Sequence, residues 1–139
     1  MDRRTEAMLK EDDAEPDGAP GAPSLEISNA IARLHKQYVG RGPTTTRTTI
    51  DGDLVVCLME GGYTRAEQTL ERNDHADLVA AGRLGLQDAM GADMIEAVQG
   101  VLGRTVRSFM SANDLKRNLM VEVFVLAADG VAGIPPTPD

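Results

Sequence analysis

The sequence predicts an α+β fold: a single two-layer domain with a four-stranded, largely antiparallel sheet, in the order α-β-β-α-α-β-β. Three observations carry this. Asp51-Gly52 separates a β-branched run, Thr45 to Ile50, from an apolar run, Leu54 to Met59, the pattern of a tight hairpin. A second pair of strand-like runs, about 104 to 111 and 119 to 127, lies near the end of the chain. Before the first pair and between the two pairs, apolar residues recur at helical spacing.

Ser24 is the expected N-cap of the first helix, with Glu26 in its first turn near the positive end of the helix dipole. Ile27, Ile31, Leu34 and Tyr38 form one apolar stripe, and Gly40 is the expected stop. The helix is predicted over about 25 to 39. A type I′ turn at Asp51-Gly52 would then place Ile50 opposite Asp53, Thr48 opposite Val55, Arg47 opposite Val56 and Thr46 opposite Cys57. Gly61-Gly62 ends the hairpin. Thr64 and Glu67 have the spacing of a capping box and open a short helix to about Arg72. A long helix is predicted from His75 to Leu102, with Gly103 as its stop. Met90, Met94, Ile95, Val98, Val101 and Leu102 give its second half a wide apolar face, while Gly82, Gly85 and Gly91 either permit close packing or introduce a kink.

In the last strand Leu119, Val121, Val123 and Val125 point one way and Met120, Phe124 and Leu126 the other, with Glu122 interrupting the second set. The strand from Leu54 to Met59 is also apolar on both sides. Strands of this kind need cover on both faces of the sheet. The long helix supplies one cover. The first helix or a second subunit must supply the other, and we expect a homodimer.

Composition narrows the function classes. The chain has 139 residues, the length of one domain, and its core must be aliphatic because aromatic residues make up only 3 %. The formal net charge is −8, but its distribution matters more than its size. Residues 1–23 hold seven acids against three bases and are rich in Pro, Ala and Gly; residues 129–139 hold two acids and no base. Both segments are expected to be disordered tails around a domain at 24–128. The domain itself is nearly balanced and shows no basic face, so nucleic acid is not an expected partner. A single cysteine, Cys57, rules out an intrachain disulfide and suits a reducing cytoplasm. No run reaches the roughly 20 apolar residues of a spanning helix, so direct membrane insertion is not expected and any membrane role must come through a partner.

Little in the chain is suited to catalysis. His35 and His75 are the only histidines, and neither has neighbours at a metal-ligand spacing. No cofactor or metal is expected. Cys57 lies mid-strand among Val and Leu, where a thiol is inert. Arg47 is harder to place. It either points to solvent from an edge strand, pairs with Glu122 as a structural ion pair, or binds an anion. With Arg41 and His35 it would then make a small cationic pocket for a carboxylate, bicarbonate or phosphate.

With these elements placed, the chain resembles the MpsC-like family. The resemblance rests on Ile27-Ser28-Asn29 with Leu34-His35-Lys36, on Tyr38-Val39-Gly40-Arg41-Gly42-Pro43, and on Arg47-Thr48-Thr49-Ile50 followed by Asp53-Leu54-Val55-Val56. It continues through Glu60-Gly61-Gly62-Tyr63-Thr64, Ala66-Glu67 with Thr69-Leu70, Gln87-Asp88-Ala89-Met90 and Val121-Glu122-Val123-Phe124-Val125-Leu126. It spans about 25 to 127. It implies a soluble, non-catalytic component of a bacterial cation-translocating membrane system, one associated with sodium transport and inorganic carbon supply. Integral membrane transport subunits are then expected partners. The resemblance brings no catalytic residue with it. The alternative is a stand-alone homodimer that senses a small anion.

Overall fold

Strands β1 (Thr45–Asp51) and β2 (Leu54–Glu60) form the expected hairpin, and β3 (Val106–Asp114) and β4 (Leu119–Leu126) form the second pair. They join as one antiparallel sheet in the order β1-β2-β4-β3 because β2 also pairs with β4. Helices α1 (Pro23–Val39), α2 (Arg65–Arg72) and α3 (Ala76–Leu102) complete the predicted order. This computed structural model describes residues 22–128. The expected tails lie outside the described residues, apart from Ala22 and Pro23. These two belong to the fold, since Ala22 is the buried N-cap of α1 and Pro23 its first residue. Proline suits that position because the missing N–H would have no partner in the helix. The helix therefore starts two residues earlier than Ser24 suggested.

The hairpin turn corrects the predicted register. Asp51 pairs with Leu54, so the two-residue loop is Gly52-Asp53. Gly52 has φ of 61°, while neither Asp51 nor Asp53 has a positive φ. Positive φ at the first central position alone is the type II′ pattern. A type I′ turn at Asp51-Gly52 would have forced Asp51 into the left-handed region, where a Cβ is strained. The shift places Thr48 opposite Cys57, Arg47 opposite Leu58 and Thr46 opposite Met59.

Both long helices lie on the same face of the sheet. Ile27 and Ile31 of α1 and Met90, Met94 and Val98 of α3 share one buried cluster with Val55, Cys57, Met59, Val106, Met120, Phe124 and Leu126. Each fully buried aliphatic contributes about 1.5–3 kcal/mol. The glycines of α3 divide by position: a Cβ on Gly91 would come within 3.3 Å of Phe109, whereas Gly82 and Gly85 face open space. Close packing is thus the role of Gly91 alone. Strand β3 runs three residues beyond its predicted end, because Ala112, Asn113 and Asp114 keep their pairing with Val121, Met120 and Leu119. A 3-10 turn, Leu115–Arg117, then leads to Asn118 at φ 56°.

Candidate functional site

A polar line crosses the otherwise apolar inner face of the sheet. Thr48, Cys57, Glu122 and Ser111 occupy one register row across β1, β2, β4 and β3. Side chains directly opposite one another share a face, so all four point toward the helices. Ser28 of α1 meets Thr48 at 2.8 Å between hydroxyl oxygens. From α3, Gln87 donates through Nε2 to Glu122 Oε2 at 3.2 Å, and Ser111 Oγ donates to Glu122 Oε1. Gln87 and Asn113 also exchange amide bonds, the stronger running from Asn113 Nδ2 to Gln87 Oε1 at 2.8 Å.

One helical turn earlier on α3, Arg83 organises a second buried group. Its side chain is 2 % exposed. Its Nε and Nη2 grip Glu67 of α2 at 2.7 and 2.8 Å, and Nη2 also donates to the Gly62 carbonyl at 3.1 Å. Its guanidinium lies 5.5 Å from the centre of the Tyr63 ring. Glu67 is at the same time the N3 residue of the predicted capping box, with Thr64. Burial raises the Glu67 carboxyl, but Arg83 and the Thr64 bonds outweigh it and hold it below the usual range. His35 sits against Arg83 Nη1 at 3.5 Å, and its Nδ1 is 3.0 Å from the Arg41 carbonyl. Burial lowers the His35 pKa more than the Arg41 carbonyl raises it. A neutral ring donating from Nδ1 and accepting at Nε2 fits both contacts.

Among the described residues, Glu122 differs from Glu67 in having no cation paired with it. It is 0 % exposed, and its two recorded side-chain partners are neutral. Burial pushes its carboxyl up to about 7, against the opposing hydrogen bonds from Ser111 and Gln87. The seam therefore holds one proton that exchanges near neutral pH. Burial likewise pushes the Cys57 thiol up to about 11, which disfavours the nucleophilic thiolate. Among the described residues, no group of three or more His, Cys, Asp or Glu is placed to hold a metal ion.

The structure does not bring the predicted cationic pocket together. Arg47 falls one residue off the Thr48 row and projects from the outer face, whereas His35 and Glu122 are buried on the inner face. The Arg47–Glu122 ion pair is therefore not formed. The turn shift is not the cause, since it moves Arg47 from Val56 to Leu58 on one face of β2; Glu122 stands opposite Cys57, on the other face. Arg41 meets His35 through its backbone carbonyl, and its side chain is exposed. The exposed, solvent-facing alternative for Arg47 is the one observed. Arg83 and Gln87 were missed, although a signal exists: residues 83, 87, 90, 94 and 98 lie at steps of four, three, four and four. Arg83 and Gln87 simply continue the apolar stripe of α3 inward.

The outer face of the sheet offers a different kind of site. Leu54, Val56 and Leu58 of β2 line up with Val125, Val123 and Val121 of β4, flanked by Met110 and Ala112 of β3. None is fully buried, and Leu54 and Met110 are 38 % and 52 % exposed. Helix α1, one of the two expected covers, lies with α3 on the inner face. No described helix covers this outer surface.

Comparison with known proteins supplies the family. A family model described as Na+-translocating membrane potential-generating system (MpsC) matches residues 22–128. The chain belongs to the MpsC family. Two curated relatives come from Bacillus subtilis (strain 168). Uncharacterized protein YbcI is 29 % identical over 115 residues, covering 71 % of this chain and 93 % of the relative. Uncharacterized protein YrhF is 26 % identical over 102 residues, covering 72 % and 84 %. No solved structure gives a significant match. Among the described residues, no helix is long and apolar enough to cross a membrane.

Proposed function

We propose that this protein is a non-catalytic accessory or regulatory component of a cation-translocating membrane system, and that it works by docking through the outer face of its sheet. The observation that carries the reading is the uncovered apolar surface centred on Val56, Leu58, Val121 and Val123. A contiguous apolar patch of this kind marks a protein interaction site. The family description, Na+-translocating membrane potential-generating system, supports a membrane ion-transport system as the setting of that interaction. The protein reaches the membrane from the cytoplasm through an integral membrane subunit rather than by inserting itself.

The test is a tagged pull-down from solubilised membranes of the native host, with wild type beside a folded Val123→Asp variant. Recovery of an ion-transporting integral membrane subunit by wild type, and its loss with the variant, supports the reading. Failure of wild type to recover any such subunit, or undiminished recovery by the variant, overturns it.

A further inference from the structure

We propose that the outer sheet face also pairs with a second copy of this chain, forming a two-sheet sandwich about a two-fold axis parallel to the strands. This rests on the reading of that face as an interaction surface; the second copy is its occupant when the protein is free of the membrane system, and the two partners compete for the face.

The outer face is built from four register rows. They are Asp51–Leu54–Val125–Ser108, Thr49–Val56–Val123–Met110, Arg47–Leu58–Val121–Ala112 and Thr45–Glu60–Leu119–Asp114. Face-to-face sheets pack about 10 Å apart with their strands nearly aligned. A two-fold axis along the strands lays β2 of one copy over β4 of the other at the same row height. Leu54 then meets the second copy's Val125, Val56 meets Val123 and Leu58 meets Val121. An axis across the strands is worse, because it sets Leu54 against the second copy's Glu60.

Charge selects the same axis. Arg47 makes no ion pair among the described residues. With the axis along the strands, β1 lies over the second copy's β3, and Arg47 comes within one row of Asp114. In the single chain Asp114 is held only by Arg117, in an exposed pair at 3.2 Å. With the axis across the strands, Arg47 would instead approach its own counterpart. A C2 interface is self-complementary in this way, each contact occurring twice.

Size sets the strength. Four strands at about 4.8 Å spacing and about 23 Å length give a flat footprint of roughly 450 Å² per copy. Two such footprints come to about the lower bound for a specific interface, roughly 1,000 Å² in total. The dimer is therefore expected to dissociate in the micromolar range. The chain's own end is a poorer occupant, since Val131 and Ile134 are the only large apolar residues in 129–139.

Sedimentation equilibrium of the full chain at about 1–100 μM tests this. Wild type should approach twice 14.8 kDa at the upper end. Val123→Asp should remain monomeric, with Leu58→Arg in its place if the first variant does not fold. Arg47→Asp should weaken association about tenfold, and adding Asp114→Arg should restore most of the loss. A wild type that stays monomeric at 100 μM overturns the proposal, as does a dimer indifferent to Val123→Asp and Leu58→Arg. A charge swap that fails to restore association overturns the axis. The membrane pull-down separates this from the functional reading: a monomer that still loses its membrane partner on Val123→Asp keeps the docking face and rejects the second copy.

Discussion

Arg83 holds Glu67 through two parallel hydrogen bonds, Nε to Oε2 at 2.7 Å and Nη2 to Oε1 at 2.8 Å, so a buried cation of α3 is tied to the first turn of α2. Breaking such a pair from the buried side strands a charge. Arg83→Ala is expected to cost about 3–5 kcal/mol in urea unfolding. Glu67→Gln should cost a similar amount, roughly 3–5 kcal/mol, because it leaves the Arg83 guanidinium, 2 % exposed, without its counter-charge even though the amide keeps an acceptor for the cap. The double variant should be less destabilised than the sum of the two. Strict additivity would show that the pair is not energetically coupled.

The Glu122 carboxyl makes stability fall with pH. Its value of about 7 in the fold lies above the ordinary 4.5. The folded chain therefore holds a proton that the unfolded chain releases between these values. Stability is full below about 4.5, declines as pH rises toward 7 and levels off above it. The total is roughly 3 kcal/mol. Glu67 and His35 titrate as well, so the useful quantity is the difference between wild type and Glu122→Gln. From pH 5 to pH 8 the variant should gain on wild type by about that amount in chemical denaturation. A difference that does not vary with pH would mean that Glu122 does not titrate in this window.

Gly61 and Gly82 should respond oppositely to alanine. Gly61 has φ of 79°, and a Cβ there would fall 2.8 Å from Thr44 Cβ and 3.0 Å from the Thr44 backbone nitrogen. That backbone is fixed by the bond from Thr44 N–H to the Glu60 carbonyl at 2.7 Å. Gly61→Ala should destabilise by about 2–4 kcal/mol. Gly82 lies in the helix facing open space, and Gly82→Ala should stabilise by about 0.5–1 kcal/mol. Thermal melts of the two variants check both signs.

Arg47 should matter little to the single chain. Arg47→Met, measured at sub-micromolar concentration, is expected to change stability by no more than about 0.5 kcal/mol. Melting shifts across phosphate, sulfate and bicarbonate should match those of wild type. A shift present in wild type and absent from the variant would restore an anion site at Arg47.

The elements were legible because their signals are local. Thr64 and Glu67 name a cap within four residues, Gly40 and Gly103 mark helix ends, and alternation in β4 separates its two faces. The site was less legible because its geometry is not local. His35 lies one step from its apolar stripe, and its buried ring is satisfied by the Arg41 carbonyl on one side and by Arg83, forty-eight positions later, on the other. Glu122 was recognised as the odd residue on its face, but its partners, Ser111 and Gln87, come from two other elements. Arg47 keeps the face that the predicted hairpin gave it; the displaced turn, a choice between I′ and II′ geometry that Asp-Gly-Asp leaves open, changed only its partner, from Val56 to Leu58.

The row Thr48–Cys57–Glu122–Ser111 also acts as an alignment key for the sheet. Valine and leucine are nearly interchangeable along β2 and β4, so apolar pairing alone would tolerate a strand sliding by two residues. With β4 slid by two, Met120 or Phe124 would stand where Glu122 meets Ser111, and the carboxyl would be carried away from both Ser111 and Gln87. An unsatisfied buried carboxyl makes every such misthreaded sheet costly. The same residue that weakens the fold at alkaline pH thus narrows the ways in which the chain can assemble.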